Sequence, residues 1–192
     1  MAFKKDELII IPPSEIFVGE KNASVTLMEF GEYENDDCAK ANEVVKQLLE
    51  EYEGKIRFNF RHFPQTLVHQ RSLKASEAAV AAAQDGKFWE MHNILFANRR
   101  TLGVTSLKLL SKDAGVKRKN FLDDLVNGTF GWQVQDDIRE ARDNGVKQLP
   151  AFFVNGEPVT GKPTYENLRK EIDAALRKSK KKTTAKPVKQ RA

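Results

Sequence analysis

An α/β fold in the order β-α-β, helical block, β-β-α is predicted by three features of the sequence. Two β-rich runs, near residues 25–30 and 56–63, flank a segment with helical spacing. A strand, a tight turn and a second strand return only after residue 150. Between them, residues 66–145 carry helical patterns punctuated by glycines and no strand signal.

Each element has its own local reason. Residues 1–18 hold Pro12-Pro13 and little periodicity, so they are read as an irregular lead-in. Val25-Thr26-Leu27-Met28-Glu29-Phe30 is a short apolar run suited to a strand. From Asn35 to Tyr52, Ala41, Val44, Val45, Leu48 and Leu49 fall on one helical stripe. Asn35 is a good N-cap, and Asp36 and Asp37 suit a first turn, where the exposed N–H groups favour negative charge. Gly54 stops this helix, and Ile56 to Phe63 alternates as a strand ended by Pro64. Helices are predicted over 72–85, 87–98, 106–114, 119–126 and 132–144. Ala151 to Val154 reads as a strand, Asn155-Gly156 as a two-residue hairpin turn, and Pro158-Val159-Thr160 as the returning strand. Thr164 caps a last helix from Tyr165 to about Leu176.

At 192 residues, with 40% hydrophobic and 31% charged residues, the chain suits one globular domain over residues 19–176. No apolar run approaches the roughly 18 residues that cross a bilayer. The N-terminal apolar stretch is too short for a secretory signal, and a single cysteine forms no internal disulfide, so a cytoplasmic location is expected. The net charge of +5 is unevenly placed: residues 177–192 hold eight of the 32 Lys and Arg and none of the 27 acids. The body before them is therefore mildly acidic, with 24 cations against 27 acids, and the tail is read as disordered.

The run Val25-Thr26-Leu27-Met28-Glu29-Phe30-Gly31-Glu32-Tyr33-Glu34 resembles the strand that enters the active site of DsbA-like thioredoxin-fold proteins. It is similar to the group also found fused to sodium/proton antiporters. Arg61-His62-Phe63-Pro64 and Gly86-Lys87-Phe88-Trp89-Glu90-Met91-His92 resemble that group's second strand and helical insertion. Gly145 to Pro150, with Phe152-Phe153-Val154-Asn155-Gly156, resembles its cis-proline segment and hairpin. The likeness covers roughly residues 17–176. It implies a thioredoxin-like fold with a helical insertion, and a groove at the active-site position.

It also implies chemistry that this chain lacks. Members of the group read Glu-Cys-Pro-Tyr-Cys where this chain reads Glu34-Asn35-Asp36-Asp37-Cys38. By that resemblance Asn35 stands at the exposed nucleophile's position, and Cys38 at the buried position that resolves the mixed disulfide. An amide does no thiol exchange, so a two-cysteine cycle within one chain is impossible. Asp36 and Asp37 beside Cys38 disfavour its thiolate, and the helix dipole favours it by about 1 kcal/mol or less. Leu149, before the expected cis-proline Pro150, holds the place where the family pairs its backbone with an extended substrate.

The leading expectation is a redox-inactive protein that binds a peptide, protein or small ligand in the groove of Asn35 and Pro150. The alternative is a monothiol oxidoreductase in which Cys38 forms a mixed disulfide with glutathione or a protein thiol. A third reading is thiol-independent chemistry on glutathione conjugates, which nothing at Asn35 or Asp36 specifies. Glu29 alternates onto the face of Val25 and Leu27, and an ion pair with Arg57 or Arg61 is expected for it. His62, His69 and His92 match no metal-ligand spacing, and His62 and His92 are read as packing or capping residues. Trp89 and Trp132 are read as core. No phosphate loop or dinucleotide fingerprint occurs, so no cofactor or metal is expected. Nucleic acid is not expected as a partner beyond the basic tail, which has no aromatic residue to stack on bases.

Overall fold

The computed structural model describes residues 11–184, with side chains to residue 181. A 3-10 turn, Pro13–Glu15, leads into β1 (Phe17–Gly19) and β2 (Val25–Gly31). Then come α1 (Asp36–Glu51) and β3 (Ile56–His62). The insertion is α2 (Ser72–Ala83), α3 (Phe88–Ala97), α4 (Val104–Asp113), α5 (Phe121–Asn127) and α6 (Gly131–Asp143). The chain closes with β4 (Ala151–Val154), β5 (Glu157–Pro158) and α7 (Tyr165–Thr184). The sheet order is β1-β3-β2-β4-β5. β2 and β3 run parallel, as a helical crossover requires, and the other pairs are antiparallel.

Strand alternation divides the core into two layers. Val25 and Leu27 of β2, with Phe58 and Phe60 of β3, pack in one cluster with Val45 and Leu48 of α1 and Leu168 and Ile172 of α7. Each such fully buried Leu contributes about 1.5–3 kcal/mol. On the other face Phe30 and Phe153 meet edge to face at 5.8 Å, and Ala141 of α6 covers them. Asn155 has a φ of 51° and Gly156 of 84°, the left-handed pair that an Asn-Gly hairpin turn demands.

The predicted helices of the insertion all form, with ends within two residues of expectation. Three expectations need correction. The lead-in contains a strand: β1 pairs with β3, and Asn59 Nδ2 donates to Pro13 O (2.7 Å) and Ile16 O (2.8 Å). Gly19 ends that strand at a φ of 97°, where a Cβ would lie 2.6 Å from Ile56 O. So short an edge strand has no pattern of its own and exists because β3 offers a free edge.

The final helix also runs on to Thr184 instead of ending near Leu176. Lys and Arg in a last turn complement the helix dipole, and Ser179 Oγ bonds Leu176 O (2.9 Å) and Ser24 Oγ (3.2 Å). Residues 185–192 of the predicted tail, and 1–10 of the lead-in, lie outside the described residues. Trp132 is 53% exposed, not core, because α6 turns its neighbours Gln133 and Val134 inward instead.

Candidate functional site

The start of α1 is built by Asn35. Its backbone is extended (φ −79°, ψ 124°), and its side-chain Oδ1 accepts from Asp37 N (2.9 Å) and Cys38 N (3.0 Å). Two of the helix's free N–H donors, the groups that would stabilise an anion at this end, are thus taken by the chain's own amide. Asp36 Oδ1 accepts from Arg99 Nε at 2.6 Å, and that hydrogen bond and charge hold its carboxyl below the usual range. Asp37 pairs with Lys40 at 2.8 Å on the surface.

Cys38 lies one turn inside and is completely buried. Burial pushes its thiol well above the ordinary value, and a backbone hydrogen bond from Glu32 opposes this to a lesser extent. The sulfur is neutral and sealed, which is the reverse of what a nucleophilic thiolate needs.

Glu29 is 1% exposed, and its Oε1 has no hydrogen-bond partner among the described residues. Desolvation raises its pKa well above the carboxylate range, so it is held as the neutral acid. The expected ion pair is absent for a reason of register. Glu29 sits opposite Phe60, which turns Arg57, Asn59 and Arg61 to the other face of β3. There Arg57 Nε donates to Thr26 Oγ1 (2.8 Å), and Arg61 bonds Asp137 (2.6 Å) and Glu140 of α6.

The histidines fall into separate roles. His62 Nδ1 lies 2.9 Å from Asp137 Oδ2, which also accepts from His62 N. His92 is held between the Tyr33 hydroxyl (3.2 Å from Nδ1) and Asn42 Oδ1 (3.1 Å from Nε2) in a buried aromatic cluster. His69, on the loop after β3, contacts the buried Glu32 carboxylate. Among the described residues no group of three or more His, Cys, Asp or Glu is placed to hold a metal ion.

The Leu149–Pro150 peptide bond is cis. Leu149 and Pro150, with Gln148, form one wall of an open groove of about 840 Å³. Asp37, Lys40, Ala41 and Val44 of α1 form the opposite wall, and the segment from Gly161 to Tyr165 closes the end. Leu149 is half-buried and makes no backbone hydrogen bond among the described residues. The structure thus brings Asp37, Leu149 and Pro150 together. It leaves Asn35 out of the groove lining, folded back on its own helix, and Cys38 beneath the surface. Sequence reasoning missed Lys40, Val44 and Lys162. The first two lie one and two turns along a helix already predicted, on the side that meets the proline turn.

A family model described as Thioredoxin matches residues 12–174. Over 172 residues the chain is 31% identical to the Na(+)/H(+) antiporter NhaA 3 of Salinispora tropica and 32% to NhaA 1 of Salinispora arenicola. In each case 89% of this chain and 26% of the antiporter is covered, so the chain spans about a quarter of the length of these relatives. Among solved structures, oxidised BdbD from Bacillus subtilis superposes with a TM-score of 0.75 at 23% identity, covering 86% of this chain and 93% of that one. The thiol-disulfide exchange protein alpha-DsbA2 of Wolbachia pipientis gives 0.70 at 24%, covering 82% and 85%. These likenesses establish the shared fold.

Proposed function

This chain belongs to the thioredoxin family, with a DsbA-like architecture, and on that premise we propose that it is a redox-inactive binding domain that holds an extended peptide against its proline turn. One observation carries the reading. At the α1 N-terminus an amide oxygen occupies the donors a thiolate would use, while the one cysteine is buried and neutral. The groove, with the Leu149 backbone free of hydrogen bonds among the described residues, sits beside this centre. Binding energy here would come from backbone pairing at Leu149 and from apolar contacts on Val44 and Pro150.

Thiol chemistry on the native protein tests this directly. Insulin reduction and thiol oxidation should stay at the uncatalysed rate, and iodoacetamide should label Cys38 only after denaturation. Turnover, or labelling of the native protein at the rate of an open thiol, would replace this reading by that of a monothiol oxidoreductase using Cys38. Asn35→Cys should then install a dithiol at a helix N-terminus whose backbone donors are free again.

A further inference from the structure

The groove beside the proline turn does not end there. A second groove, about 530 Å³, lies on the far side of the Gly145–Pro150 segment, and Val146 and Lys147 form part of its wall. A smaller one of about 230 Å³ lies between and shares Gln148 and Pro150 with the first. It shares Val146 and Lys147 with the second, so neighbouring lining residues run from groove to groove along the proline turn, a row termed the trough. Its far floor presents Leu67, 99% exposed, and Val68, 69% exposed, on the loop after β3. Two exposed aliphatic side chains in sequence, in a groove also lined by Phe63 and Ile138, suit an anchor from outside the chain.

Charge narrows the class of that anchor. Residues 1–176 carry three more acids than cations, yet the trough is lined by Lys40, Arg142, Lys147 and Lys162 against a single acid, Asp37. Asp37 is already paired with Lys40. Arg142, Lys147 and Lys162 are exposed and have no acidic partner among the described residues. On a body with more acids than cations, a lining with four cations against one acid is complementary to an anionic occupant. The exposed aliphatic pair, with no aromatic residue exposed beside it for base stacking, favours a peptide over a nucleic acid.

Resting on the binding reading above, we propose that the occupant is an extended acidic peptide segment. It crosses the proline turn with an apolar side chain on Leu67 and Val68 and carboxylates on Arg142, Lys147 and Lys162. Selection of a random octapeptide library on the full chain tests this. Enriched peptides should be acidic with at least one large apolar residue. Their affinity should fall roughly tenfold in the triple variant Arg142→Gln, Lys147→Gln, Lys162→Gln, and again with added salt. Leu67→Asn should weaken the same peptides without changing their salt dependence. Enrichment of neutral or basic peptides would overturn the acidic assignment and leave the groove reading intact. Single-stranded RNA bound as tightly through the same three cations would overturn the peptide class. No enrichment at all would remove both this inference and the binding reading beneath it.

Discussion

Glu29 shows how one side chain can be wrongly partnered by sequence and rightly buried. Its alternation with Val25 and Leu27 places it inward, and that much is legible from period two. Its partner is not legible, because the offset between β2 and β3 depends on the whole crossover, and one residue of offset exchanges Arg61 for Phe60. The result is a neutral carboxyl in an apolar wall, made possible by Gly31, where a Cβ would come within 2.8 Å of Glu29 Oε1 and the Phe60 ring. Its pKa is raised on folding, so the folded protein keeps a proton that the unfolded chain releases. The associated stability is present in acid, below the unfolded carboxyl value of about 4.3, and is lost as pH rises through the folded value. Glu29→Gln should therefore be more stable than wild type at pH 8, by about 1–3 kcal/mol, and should show a shallower decline with rising pH. Urea unfolding at several pH values measures both; parallel curves for the two proteins would refute the assignment.

At the scale of elements, α1 is the helix on which everything at the site depends, and its start was fully readable: Asn35 as cap, two acids, then the apolar stripe. Asn35→Ala frees the N–H groups of Asp37 and Cys38 and should cost about 1 kcal/mol, measured by thermal denaturation. A cost near zero would mean that water replaces the amide without penalty, and the cap would then be incidental. The helices of the insertion were legible for the same reason, since glycines and helical periodicity are local signals. β1 was not, because its only reason to exist is the neighbouring edge and the two carbonyls that Asn59 gathers. Trp132 was misplaced by a single step of 100° around α6, which periodicity over so polar a helix does not fix. The trough was readable only in part: Pro150 and Leu149 are marked by sequence, whereas the loop of Leu67 and Val68 reaches them only through the fold.

Across the whole molecule, the insertion is joined to the sheet and α1 by a buried polar contact rather than by apolar packing alone. Tyr33 from the β2–α1 link, Asn42 from α1 and His92 from α3 hold one another inside the aromatic cluster. Burial lowers the His92 pKa, with His62 and Lys46 adding to the effect, so folding requires the neutral ring. A depressed folded pKa contributes stability above the unfolded value near 6.5 and loses it as pH falls below that. The His92 contribution should thus fall as pH drops below about 6.5, where the Glu29 contribution of opposite sign grows. His92→Gln should remove the first and leave the second, so that urea unfolding shows the variant gaining stability relative to wild type as pH falls below about 6.5. Hydrogen exchange at α3 should accelerate first on acidification; uniform acceleration throughout the chain would show that the insertion does not loosen as a unit.

The sealed position of Cys38 reaches beyond catalysis. In a protein whose paired cysteines cycle between thiol and disulfide, unfolding is coupled to the surrounding reduction potential, and the fold is a different object in oxidised and reduced surroundings. Here the 192 residues hold a single cysteine, and it is buried. On the proposed binding reading, the stability of the domain and the shape of its groove should be the same whether the medium is rich in reduced thiols or depleted of them.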